Sequence, residues 1–104
     1  MNSLTVSGFD WDDGNRQKCR RHGLSLDEIE TLFRLEPLVA PDIAHSARET
    51  RFLAIGGASQ GRAIFVAFTL RVIDGETRIR PISARPMHKK EMAHYEKALA
   101  RHSH

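Results

Sequence analysis

The sequence predicts a small α+β domain in which helices pack on an antiparallel sheet, and three observations carry that expectation. Two helix-start signals fall early, at the aspartates 10, 12 and 13 and at Ser25. An almost unbroken apolar run, AIFVAFTL at 63–70, is flanked by glycine-containing turn signals and reads as a central strand. The closing segment spaces Met92, Tyr95 and Leu99 on one helical face. At 104 residues the chain is expected to form one domain, spanning 1–104, with one core.

The elements follow in order. Residues 4–10 alternate, with Leu4, Val6 and Gly8 against Thr5, Ser7 and Phe9, as a short first strand would. The aspartates then supply negative charge at a helix N-terminus, and a basic helix is expected over 15–22, stopped by Gly23 in a left-handed cap. Ser25-Leu26-Asp27-Glu28 is a capping box, with Leu24 and Ile29 placed for a hydrophobic staple. Leu26, Ile29, Leu32 and Phe33 share one face of this second helix, which should end near Leu35 because Pro37 and Pro41 bracket a loop. Strands are expected over 50–56, 63–70 and 78–84, joined by a glycine-flanked loop at 57–61 and a tight Asp74-Gly75 turn. Pro81 cannot donate to a ladder, so the third of these should be edge-like or irregular there. A final helix over 87–101 completes the order β-α-α-β-β-β-α.

Composition narrows the function classes. With 40% hydrophobic and 28% charged residues the chain is of folded, not disordered, type. No apolar run reaches membrane-spanning length, and the N-terminus lacks the order of a signal peptide, so a cytoplasmic protein is expected. The single cysteine, Cys19, excludes an internal disulfide; a packed thiol is a better reading of it than a nucleophile. A net charge of +3 is compatible with nucleic acid or an acidic protein partner.

The chemistry-bearing residues are concentrated in three places. Arginines at 71, 78, 80 and 85 run along a hairpin that needs none of them for stability. Two readings fit equally: a phosphate-binding surface, or ordinary charged residues on a solvated strand face. Arg85, His88, Lys89 and Lys90 crowd the start of the last helix, where cations oppose the dipole unless an anion is bound; Glu91 and solvent are the alternative source of screening. Residues 42–51 gather His45, Arg48, Glu49 and Arg51. Cleaving RNA through its 2′-hydroxyl needs a base, cations for the phosphorane and an acid, and this segment holds candidates for each. The six histidines lack metal-ligand spacing, and neither a nucleophile-elbow serine nor a glycine-rich phosphate loop is present, so no metal and no cofactor is expected.

Taken together, FDWD at 9–12, RHGLS at 21–25, DIAHSARETRFLAIG at 42–56, Gly61-Arg62, and TLR followed by IRPISAR resemble the BrnT family of bacterial type II toxins. The likeness covers nearly the whole chain in the correct order and ends with Glu91 and Tyr95-Glu96. It implies a RelE-like fold, an antiparallel sheet with N-terminal helices and a C-terminal helix. It further implies a metal-independent endoribonuclease that halts growth. The implied partner is a BrnA-type antitoxin, two toxins with two antitoxins, whose complex represses the shared operon and reaches operator DNA only through the antitoxin. By motif position the resemblance nominates His45, Glu49, Arg51, Arg80 and Arg85 as catalytic and His22, Arg62 and Arg71 as RNA-binding, to which the basic helix start adds Lys89 and Lys90. Glu49 or His45 would be the base, and Arg51, Arg80 and Arg85 would stabilise the phosphorane. His22 could instead bond the last carbonyls of its helix, and Trp11 is read as core packing. The chain departs from the family pattern at Asn15, where lysine is usual, at Cys19, where asparagine is usual, and at Pro81, more often isoleucine. Two functions compete with the nuclease: a non-catalytic module binding RNA or an acidic protein, and a basic face that serves only to dock the antitoxin.

Overall fold

A computed structural model of the chain describes residues 6–42, 48–57 and 63–102, the side chains at 95, 96 and 98–102 excepted. Helices α1 (Asp13–Arg20) and α2 (Leu26–Arg34) precede four strands, β1 (Leu38–Pro41), β2 (Phe52–Gly57), β3 (Ala63–Ile73) and β4 (Glu76–Pro86), and α3 (Lys89–His102) closes the chain. The sheet has the order β1-β2-β3-β4, antiparallel throughout.

Both early helices start where their caps dictate. Asp12 accepts the Asn15 N–H at 2.9 Å, and the Asn15 side chain accepts the Asp12 N–H at 2.6 Å. The Ser25 hydroxyl and the Glu28 carboxylate exchange the same two bonds at 3.0 Å each. Leu24 and Ile29, the staple, are both buried. Gly23 takes the left-handed conformation, φ 84°, just past α1. Asp74 and Gly75 both have positive φ, the requirement of the two-residue turn that matches strand twist.

Two expectations about strands are corrected. Of the first strand expected over 4–10, residues 4 and 5 lie outside the described residues, and the rest is a single parallel bridge, Phe9 to Ile79. Ser7 N–H donates to Thr77 O, Ile79 N–H to Gly8 O and Asp10 N–H to Ile79 O. The pairing goes no further because Pro81 has no N–H to offer and the chain turns into the Asp12 cap. The segment bracketed by Pro37 and Pro41, expected as a loop, is instead β1, paired with β2 from Leu38↔Ile55 to Pro41↔Phe52. Pro41 is tolerated there because β1 is an edge.

Pro81 behaves as expected. It sits in the other edge strand, opposite Phe68, and the next pair is Ser83 with Ala67, so Ile82 is an unpaired bulge residue.

The core lies between the helices and one face of the sheet. Phe68, fully buried, has the Phe33 ring edge-on at 5.0 Å and the Phe52 ring stacked at 5.3 Å. Ile29, Leu32, Ala54, Ile64, Val66, Ile79 and Ala84 surround it, with Cys19 beneath α1. Gly56 belongs to this face because a side chain there would meet Leu32 at 3.3 Å. No helix among the described residues is long and apolar enough to cross a membrane.

Candidate nucleic-acid interface

Side chains alternate across a sheet, so the residues between the core positions all face the other way. The register puts Leu53 beside Ala67, Ile55 beside Phe65, Ala67 beside Ser83 and Phe65 beside Arg85 on this open face. Thr69↔Arg80 and Arg71↔Arg78 continue it toward the hairpin turn. The predicted arginine row is therefore a row in fact. Arg71 and Arg78 stand directly opposite each other, an arrangement that costs a few tenths of a kcal/mol up to about 1. Glu49 lies 3.3 Å from Arg71 and offsets it, although both are more than two-fifths exposed and solvent screens the pair.

A depression of about 360 Å³ brings Glu49, Arg51 and Arg80 together with Lys18, Asp12 and Asn15. Its outer wall is pinned to the sheet by two bonds. Buried Thr69 donates its hydroxyl to Thr50 O at 2.8 Å, and Asp42 N–H donates to Arg51 O at 2.8 Å. Arg80 reaches Asp10 at 3.2 Å and Asp12 at 2.7 Å. The Asn15 N–H, and after it Arg80, hold the Asp12 carboxyl below its usual range; Asp12 and then Asp10 raise the Arg80 guanidinium in turn. Arg80 thus ties the N-terminal segment and the α1 cap to β4. Beneath it, buried Asn15 donates through Nδ2 to Asp10 O at 2.9 Å and Pro81 O at 2.8 Å.

A second depression, of about 320 Å³, is lined by His22, Leu53, Phe65, Ala67, Ser83, Ala84, Arg85 and Glu91. The Arg85 guanidinium lies 4.6 Å from the Phe65 ring centre and makes a two-pronged pair with Glu91, both contacts 2.8 Å. Glu91 also accepts the His88 N–H at 2.8 Å. The anion wanted at the crowded start of α3 is thus supplied by the chain's own Glu91, with Lys89 and Lys90 exposed beside it. Arg85 first, then the His88 N–H, pulls the Glu91 carboxyl down from 4.5 to about 2. Folding favours its ionised form, so its stabilising effect is complete above pH 4.5 and is lost as pH falls toward about 2. Glu91→Gln is expected to flatten the acid limb of the thermal midpoint in that window, followed by circular dichroism; an unchanged limb would uncouple Glu91 from stability.

Of the sequence-predicted residues, Glu49, Arg51 and Arg80 share one depression and His22 and Arg85 the other. Arg71 stands beside Glu49 on the hairpin. His45 and Arg62 lie outside the described residues. His22 is not needed as a cap, since backbone bonds from Arg21 to Lys18 and from Gly23 to Arg20 close the helix end. Lys18 was missed, although it stands in the basic run of 15–22. Cys19 is fully buried and its thiol is pushed up to about 11, which suits packing and not nucleophilic attack. Trp11 packs against the core and donates to Glu30 at 2.9 Å. Among the described residues no cluster of His, Cys, Asp and Glu is arranged to hold a metal ion.

Compared with known families, the chain matches over residues 11–91 the one described as the ribonuclease toxin, BrnT, of type II toxin-antitoxin systems. Among curated proteins no match was found.

Proposed function

The chain belongs to the BrnT family of ribonuclease toxins of type II toxin-antitoxin systems, and from that premise we propose that it cuts RNA by transphosphorylation, without a metal, on the open face of its sheet. The observation that carries this reading is the convergence of Glu49, Arg51 and Arg80, with Lys18, in one depression. Glu49, or His45, takes the proton of a 2′-hydroxyl, whose oxygen attacks the adjacent phosphorus. The bond to the 5′-oxygen breaks, that oxygen is protonated, and a 2′,3′-cyclic phosphate is left. Arg51, Arg80 and Lys18 bear the charge that builds on the phosphorane, while Arg85 stands apart in the second depression, paired with Glu91. An incoming phosphate shares the Arg80 fork with Asp10 and Asp12.

The partner in this reading is a BrnA-type antitoxin, in a complex of two toxins and two antitoxins that reaches operator DNA through the antitoxin. A non-catalytic binding module is the second reading, and one observation favours it: Arg80 and Arg85 are both already paired with carboxylates.

Expression of the chain alone and with its neighbouring open reading frame separates the two. Growth arrest with fragmented RNA, relieved by the neighbour, is the expected result. Purified protein should shorten labelled RNA in the presence of EDTA and leave cyclic phosphate ends. RNA that is retarded in a gel but stays full length would reject the nuclease. Binding should weaken steeply with salt in either case.

A further inference from the structure

Resting on the RNA-binding reading above, we propose that the second depression is a nucleobase subsite, in which the Phe65 ring stacks a base of single-stranded RNA a few nucleotides from the cut. The two depressions lie on one sheet face and differ in chemistry. The one at Glu49 and Arg51 is polar and suits a phosphate. The one at Phe65 has an apolar floor of Leu53, Phe65 and Ala67, which offers a phosphate little and a planar ring much.

Its rim supplies polar groups in small number. The Ser83 hydroxyl and the His22 imidazole can each donate and accept, as the edge of a base requires. Arg85 and Glu91 consume each other's forks, and the guanidinium lies over the Phe65 ring, so the pair caps one face of the ring and is not a second phosphate clamp. The base stacks on the face it leaves open. The volume, about 320 Å³, is at the small end of ligand pockets, in keeping with one ring system and not a larger ligand.

Placement follows from the strand. Arg80 and Arg85 are separated along β4 by a distance on the order of 15 Å, at about 3.3 Å per residue. That spans a few nucleotides of extended RNA, so the subsite reads a base at a fixed offset from the scissile bond and not the base at the bond. Only an unpaired strand can splay a base into it, since duplex RNA keeps its bases stacked and its deep groove closed to side chains.

The test is Phe65→Leu, which keeps the apolar bulk and removes the aromatic face, with Phe65→Trp as the variant that restores it. Affinity for a single-stranded oligoribonucleotide and for an abasic sugar-phosphate strand of the same length is measured by fluorescence anisotropy. Phe65→Leu is expected to weaken binding of the base-bearing strand about 5- to 100-fold, to leave the abasic strand unaffected, and to be rescued by tryptophan. Ser83→Ala should change which base is preferred at the fixed offset. Equal binding of the base-bearing strand by wild type and Phe65→Leu overturns the proposal, as does an equal loss on both strands. So does a loss confined to antitoxin affinity, which would make this face a protein-docking surface. A base-dependent loss of binding in a protein that cuts no RNA would reject the nuclease and keep the subsite.

Discussion

Glutamine in place of Glu49 is expected to lower the single-turnover rate of RNA cleavage by about 10²- to 10⁴-fold while leaving RNA affinity and thermal stability near wild type. Glu49 is two-fifths exposed and makes a screened pair with Arg71, so an isosteric amide removes little from the fold. What it removes is the proposed proton acceptor in the depression that holds Arg51 and Arg80. Arg51→Ala, by contrast, withdraws charge from the phosphorane and is expected to cost about 10²- to 10³-fold. A Glu49→Gln variant that cleaves at the wild-type rate would move the base to His45. An Arg51→Ala variant that cleaves normally would remove this depression from the reaction altogether.

The largest effect on stability is expected at Asn15. Aspartate there keeps the shape but replaces the Nδ2 donor with an oxygen facing the carbonyls of Asp10 and Pro81. Two acceptors, one buried and one partly buried, lose their partner and meet a negative charge, a cost of about 2–4 kcal/mol. For a domain of this size that corresponds to a fall in Tm of about 10–25 °C. Calorimetry on wild type and Asn15→Asp decides it. A midpoint within a few degrees of wild type would show that the three-way junction of N-terminal segment, α1 and β4 is dispensable. Since the same junction seats Arg80 beside Asp12, cleavage should fall along with stability in this variant, unlike in Glu49→Gln.

How much of this was legible in the sequence depended on whether the deciding contact was local. The Ser25 capping box and the Asp74-Gly75 turn are complete within four residues, and both formed as read. Strand β1 was missed because its prolines, read locally, announce a loop, whereas its pairing with β2 is decided by a strand more than ten residues on. The N-terminal strand was over-read for the converse reason: its alternation is real, but the partner runs out at Pro81. In the site, residue types were legible and partners were not. Nothing in the spacing joins Arg80 to Asp10 and Asp12, which are 70 and 68 residues away. Asn15 looked like a lost lysine, and its use as a buried crosspiece between two carbonyls is visible only in three dimensions.

The unpaired Ile82 has a consequence for the whole surface. Arg80 and Arg85 are an odd number of residues apart, and in an unbroken strand an odd separation sends two side chains to opposite sides. The single inserted residue shifts the strand by half a period, and this brings both arginines onto the same side. Proline at 81 secures that phase change, because a residue with no N–H cannot extend the ladder at the point where the count is corrected. Were Ile82 to pair with Ala67 and take its place in the ladder, the strand beyond it would turn inside out: Ala84 would leave the core, Arg85 would be driven into it, and Phe65 would lose its guanidinium neighbour. Deleting Ile82 would instead leave the two arginines four residues apart and still on one side. The coherence of the surface, from the acidic pair at Arg80 to the ring at Phe65, is in this sense a matter of counting, set by one residue that pairs with nothing.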